Sequence, residues 1–249
     1  MDAVSVIAVP YELDRHRYGV GRGPERLLEC GAAEALGAAG ATVGTELVEL
    51  TEDFSNEAEG CFELIRRVGD RVSAAADRGV FPVVLSGSCC LAALGVAAGL
   101  GEGAPGVVWF DAHSDFNTPE TTTSGYFDGM GLAVLIGDAW RGMLRTVPGA
   151  RPVPATAVVQ GGVRDFDDDD ERRLSESGIK SLRPLELASG DALAAALDAL
   201  EPEPTGLYLH VDLDVLDAEA ARVNIYSVPD GISATSSSHV SSRCSRPVR

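Results

Sequence analysis

Short apolar runs alternate along this chain with longer, alanine-rich stretches, and that alternation leaves few folds open. Residues 4–9, 41–50, 81–85, 106–110, 156–161 and 207–212 read as strands. Between them, Gly23-Pro24-Glu25 opens a helix expected to run to Leu36, with Pro24 in the first turn, where its missing N–H leaves no intrahelical bond unmade. Further helices are predicted at 56–78, closed by Gly79, and at 89–98, 168–177 and 190–200. Strands separated by helices cannot pair as hairpins. They pair in parallel, and helices cover both faces, giving a three-layer α/β/α fold with a mostly parallel sheet. In such sheets ligands gather at the carboxyl ends of the strands.

Two segments at such ends carry an unusual set of acids. Residues 110–129 read F-D-A-H-S-D-F-N-T-P-E-T-T-T-S-G-Y-F-D-G. Asp111, His113 and Asp115 alternate with small or apolar residues, so in extended backbone they share one face. Residues 208–217 read Y-L-H-V-D-L-D-V-L-D. Here His210, Asp212 and Asp214 face one way, while Leu209, Val211 and Leu213 face the opposite layer. Burying paired carboxylates costs several kcal/mol unless cations or hydrogen bonds compensate. An isolated D-x-D is more often the solvated edge of a sheet, but two such clusters in one chain favour a metal site.

The composition fits this reading. A chain of 249 residues is long enough for one large domain with a sizeable core, and its 45% apolar content is ordinary. The net charge of -18 repels phosphates, which excludes nucleic acid and anionic membrane as natural partners and suits divalent cations. No apolar run approaches the ~20 residues of a membrane helix, and the N-terminus has no signal-like segment, so the expected location is the cytoplasm. Cys30, Cys61, Cys89, Cys90 and Cys244 show neither zinc-finger spacing nor a disulfide framework.

Taken together, D-A-H-S-D-F-N-T-P-E-T-T-T-S-G and H-V-D-L-D resemble the motifs of the arginase and agmatinase superfamily, the ureohydrolases, which hydrolyse guanidino groups at a dinuclear manganese centre. The N-terminal V-P-Y-E-L-D-R-H-R-Y-G-V-G-R-G-P-E-R and the later G-G-V-R-D-F-D-D-D-D are similar to family segments as well. The resemblance runs over roughly residues 4–232 and implies two Mn2+ ions, other divalent metals being possible. It implies that Asp111 and Asp212 bridge the ions, that Asp115 binds one and orients a bridging hydroxide, and that His113 and Asp214 bind the other. Asn117 and Ser124 resemble the residues that hold a substrate α-carboxylate, and Asp167 the acid near its α-amino group. Each of these three equally fits a loop-capping role. Carboxylate and imidazole donors suit Mn2+ on chemical grounds alone, and paired cations make water nucleophilic near neutral pH.

The departures narrow the reading. Where the family shows G-G-D-H-S with a metal-binding histidine, this chain has Ser86-Gly87-Ser88-Cys89-Cys90, and Cys89 falls on the ligand position. An isolated buried cysteine is usually an apolar filler; at this position a thiolate ligand is the better reading. A branch acting on Nω-hydroxy-L-arginine has cysteine here and resembles this chain more closely in D-F-N-T-P-E-T-T and V-P-D-G. A thiolate in place of imidazole makes the cluster more anionic and weakens its Lewis acidity. An already activated N-hydroxyguanidine is then the expected substrate, with arginine, agmatine or a guanidino acid as alternatives. Asp128 stands where arginase carries a histidine proposed to shuttle protons, so the resemblance does not carry that proton route over to this chain.

The family pattern is expected to occupy residues 1–232 as one C-terminally incomplete domain. Residues 233–249 contain seven serines and three arginines and no acid, which reads as a disordered tail. The chain has Lys180 as its sole lysine beside 19 arginines, a sign of GC-rich coding sequence, and a reading-frame shift near residue 233 would produce such an ending. Family members continue into a further helix and a last strand lying between the third and seventh strands, and into a glutamate that holds the guanidinium. Without that strand, each buried backbone group left unpaired costs about 1–3 kcal/mol. Two functions follow as expectations: a manganese hydrolase of a small guanidino substrate, or a ureohydrolase-like protein without turnover. A histone-deacetylase-like single-metal pattern fits the second aspartate pair less well.

Overall fold

The computed structural model describes residues 3–101, 105–166, 168–204 and 206–233. Asp167 and residues 234–249, on which the sequence places a substrate contact and a tail, lie outside the described residues. The chain divides into two compact units, Met1–Glu102 with Trp140–Arg151, and Gly103–Ala139 with Pro152–Arg249.

In the first unit, β1 (Ala3–Val9) is apolar along nearly its whole length and lies between two partners. It is followed by a small antiparallel ladder of β2 (Tyr11–Glu12) and β3 (Arg15–His16). The helix expected from Gly23 to Leu36 is two helices, α1 (Gly23–Glu29) and α2 (Ala32–Ala38). Gly31, with φ 92°, takes a left-handed conformation that ends the first helix, a stop the apolar pattern does not announce. Next come β4 (Thr42–Leu47), α3 (Glu57–Asp77), β5 (Phe81–Ser86) and α4 (Cys89–Gly99). Asn56 caps α3 by accepting from the Glu59 N–H at 3.0 Å, and Glu57 and Glu59 suit the positive end of the helix dipole. Helices α3 and α4 approach closely because Gly95 and Gly99 have no Cβ, which would meet Val68 Cγ1 and the Gly69 carbonyl at 2.5 Å. The sheet is parallel, in the order β4-β1-β5.

In the second unit, β6 (Gly106–Phe110) and α5 (Gly131–Leu135) precede the return to the first unit through α6 (Arg141–Leu144). The chain continues with β7 (Val158–Gly161), α7 (Asp168–Ser177), β8 (Lys180–Leu182), α8 (Pro184–Ser189), α9 (Asp191–Asp198) and β9 (Leu207–Val211). Its four strands are parallel, in the order β8-β7-β6-β9. One face of this sheet builds a core of Val108, Phe110, Val159, Leu187, Leu193 and Leu200 with neighbouring side chains. Strand β6 is buried throughout, so it reads as a continuous apolar run.

The mostly parallel α/β architecture agrees with the sequence reading, while the expected single sheet is instead two sheets ending at β5 and β9. Among the described residues no strand pairs with the outer side of either. The outward apolar residues of β9 are accordingly not covered there: Leu209 is 41% and Val211 48% exposed, and Leu213, in the turn that follows, is 45% exposed. Among the described residues no helix is long and apolar enough to cross a membrane.

Candidate metal centre

Pairing of β6 with β9 brings the two acid motifs together. Phe110 stands opposite Val211, and the ladder continues one step beyond the strands, with the Asp212 N–H donating to the Phe110 carbonyl at 2.8 Å. Asp111 is tied to the other neighbour, its N–H donating to the Gly161 carbonyl at 3.1 Å. Both aspartates therefore leave adjacent parallel strands at the carboxyl end, the place where such sheets bind ligands.

Local hydrogen bonds then aim the side chains. Asp111 is buried; its Oδ2 accepts from Trp109 Nε1 at 3.1 Å and its Oδ1 from the His113 N–H at 2.8 Å. Asp214 is also buried, accepting from the Ala112 N–H at 3.3 Å and from Asn224 Nδ2 at 2.9 Å. Asp212 Oδ1 accepts from the Asp214 N–H at 2.8 Å and so shapes the turn after β9. His113 Nδ1 lies 3.4 Å from Asp111 Oδ1 and 3.4 Å from Asp214 Oδ2. The donor atoms of Asp111, His113 and Asp214 all lie within 4.8 Å of one another, close enough to share an ion.

Electrostatics show what such a cluster lacks. Burial pushes the Asp111 carboxyl up, and the Asp214 charge adds to this, against a hydrogen bond from His113. Burial raises Asp115 well above the usual carboxylate range, with the Asp111 and Asp128 charges adding to it. Burial alone would discharge the His113 ring, but hydrogen bonds and charge from Asp111 and Asp214 outweigh it and push His113 up to about 11. Asp214 is correspondingly held down to about 2: burial opposes this, and His113 and Asn224 overcome it. A proton on His113 thus does part of the work a cation would do. The carboxylate oxygen and imidazole nitrogen donors match a hard divalent ion such as Mn2+ in kind and charge.

Asp115 is held in a left-handed backbone, φ 48°, which is costly for a residue with a side chain. Its carbonyl accepts from the Leu132 and Ala133 N–H groups, at 3.0 and 3.3 Å, so the first turn of α5 fixes it. Asp128 is buried in the 3-10 turn Asp128–Met130 and contributes to the field on Asp115. Cys89 opens α4 in the first unit. The turn before it is held by Ser86, whose Oγ donates to the Ser88 carbonyl at 2.9 Å and accepts from its N–H at 3.1 Å. A Cβ on Gly87 would meet Gly21 Cα at 2.5 Å, so this turn requires glycine.

Asn117 and Ser124 both have local partners. Asn117 Nδ2 donates to Asp170 Oδ2 and its Oδ1 accepts from Thr121 Oγ1, each at 2.9 Å. Ser124 is exposed and accepts from the Tyr126 N–H at 3.2 Å.

Three supporting residues escaped sequence reasoning. Trp109 reads as one more apolar strand residue, yet its indole N–H fixes Asp111. Asn224 lies in an irregular loop and orients Asp214. Arg164 donates to the carbonyls of Asp214, Leu216 and Val228 at 2.9–3.0 Å and of Pro229 at 2.8 Å, locking the loop that carries Asp214. Only Arg164 stood in a segment with a recognisable pattern, G-G-V-R-D.

Comparison with known proteins matches residues 2–246 to the family described as "Arginase family". The arginase of Bacillus caldovelox is 30% identical over 240 residues, 89% of this chain and 79% of that protein. The N(omega)-hydroxy-L-arginine amidinohydrolase of Streptomyces lavendulae is 37% identical over 129 residues, 51% of this chain and 41% of that protein. The crystal structure of arginase from Bacillus subtilis matches with a TM-score of 0.85 at 30% identity, covering 96% of this chain and 84% of that one.

Proposed function

The chain belongs to the arginase family, and from that premise we propose that it is a metal-dependent hydrolase of guanidino C–N bonds, with Nω-hydroxy-L-arginine or a related arginine derivative as substrate. The observation that carries this reading is the cluster of Asp111, His113 and Asp214, whose donor atoms lie within 4.8 Å of one another, with the buried carboxyls of Asp111 and Asp115 both raised by burial and by neighbouring acids.

Two Mn2+ ions would be held by Asp111, Asp212, Asp115, His113, Asp214 and Cys89. When bound, such ions supply a nucleophile from water near neutral pH and draw electron density from the scissile carbon. Asp115 would orient the nucleophilic water, and Asp128, whose charge adds to the raised Asp115 value, would hold or pass a proton. Ser124 and the second amide N–H of Asn117 are donors for a substrate α-carboxylate, and Asp167 is an acid for its α-amino group.

Substrate choice rests on Cys89. A thiolate ligand lowers the Lewis acidity of the cluster, which favours the more activated N-hydroxyguanidine. The partial match to an Nω-hydroxy-L-arginine amidinohydrolase supports the same choice. Manganese-loaded protein should release hydroxyurea from Nω-hydroxy-L-arginine faster than urea from arginine, and Cys89→His should shift activity towards arginine. Equal or faster turnover of arginine would sink the substrate assignment. Absence of both products from protein with bound manganese would sink the hydrolase reading.

A further inference from the structure

One buried ring nitrogen in the second unit has no explanation in the interactions described so far. His210 is buried on β9, facing the same way as Tyr208 and opposite to the exposed Leu209 and Val211. Its ring stacks on Trp109, its register partner on β6, with centroids 3.8 Å apart and planes at 20°. Its Nδ1 lies 2.9 Å from the Tyr208 hydroxyl. Nε2 has no hydrogen-bond partner among the described residues.

Buried imidazoles normally satisfy both nitrogens, and an orphan is the exception that asks for a ligand. The surroundings say which. A ring nitrogen of His210 and a carboxylate oxygen of Asp111 lie within 4.8 Å of each other, and two donors on one cation at about 2.1 Å each stand up to about 4.2 Å apart. The same indole that stacks on His210 donates to Asp111 Oδ2 at 3.1 Å, so one side chain positions both. Metal-binding histidines characteristically use their other nitrogen in a fixed hydrogen bond, which sets tautomer and ring orientation. The tautomer in which Nδ1–H donates to Tyr208 Oη leaves the Nε2 lone pair for a cation.

We propose that His210 is a further ligand of the metal centre, binding through Nε2 the cation that Asp111 holds. The proposal rests on the metal reading of the preceding section and deepens it. It gives the centre two imidazoles, His113 from the loop after β6 and His210 from β9, in a chain where the sequence pattern replaces a family histidine by Cys89. Neither Leu209 nor Val211 offers a donor, so the strand contributes the ligand through its inward face alone.

X-ray absorption at the manganese edge of the full-length, manganese-loaded protein tests this, because bound imidazole rings scatter from their outer atoms and can be counted. The expected result is two imidazoles per manganese pair in the wild type, falling by about half in His210→Ser and in His113→Ala alike. Equilibrium dialysis with Mn2+ alone should show His210→Ser weakened by about tenfold or more. His210→Asn, which keeps a polar side chain in the buried site, is the second variant if His210→Ser does not fold. The wild-type imidazole count needs no variant at all. Manganese uptake with a single imidazole, or with a count unchanged in His210→Ser, overturns the assignment of His210 while leaving the metal reading intact. A folded wild type that takes up no manganese overturns both.

Discussion

Two histidines of one site, His113 after β6 and His210 on β9, are held in opposite states. His113 touches two carboxylates and is pushed up to about 11; His210 touches an indole face and a phenol and is pushed down to about 3. Burial works against charge in both. His113 is half-buried and contacts Asp111 and Asp214, which outweigh burial; His210 is buried without such a contact, and burial prevails. The acid-rich loop stores a proton until a cation arrives, and the strand stores a lone pair.

Removing the carboxylate that most distinguishes the two rings should have the largest effect. Asp214→Ala takes away a proposed ligand and one of the two acids within 3.4 Å of His113 Nδ1. Manganese affinity should fall on the order of 100-fold or more, judged against the cost of losing outer-shell partners elsewhere. In the metal-free variant, NMR titration should find the His113 ring moved back towards the ordinary histidine value. Unchanged metal retention would break the assignment.

Proton release on metal binding sharpens the contrast. A ligand must shed its proton to bind, so Mn2+ added at pH 7 to metal-free protein should release at least about one proton per centre. His113→Ala should remove that share, and His210→Ser should leave it. PH measurement in weakly buffered solution separates the two cases.

Stability of the metal-free protein against pH should show the same asymmetry. The His113 value is raised, so its contribution is complete below about 6.5, the ordinary value, and is lost as pH rises through about 11. The His210 value is lowered, so its contribution is present above the ordinary value and is lost as pH falls through about 3. Urea titrations across pH should therefore find His113→Asn flattening the alkaline limb and His210→Ser the acid one. The smallest effect belongs to Tyr208→Phe, which deletes the hydrogen bond to Nδ1 and should cost about 1 kcal/mol in thermal or urea unfolding.

Much of this was legible in the residues. The continuous apolar run of β6 and the alternation in β9 located both strands, and the parallel register that the fold class demands then places Asp111 beside Asp212. The state of His210 was not legible, because it depends on Trp109 from a neighbouring strand, and nothing in an alternating pattern reveals cross-strand partners. Asn224 and Arg164 act from irregular segments with no period to read. Strand β8, Lys180–Leu182, is too short and polar to register as a strand, and the break at Gly31 looks from sequence like one more small residue in a helix. The substrate-side acid, Asp167, lies outside the described residues.

The claim that the acid cluster is a metal centre is tested most directly by counting manganese in the full-length protein after loading and removal of unbound ions. Two ions per chain in the wild type, with loss in Asp111→Ala and Asp214→Ala, is the predicted result. A folded wild-type protein that retains no manganese, or retains as much after either substitution, would contradict it.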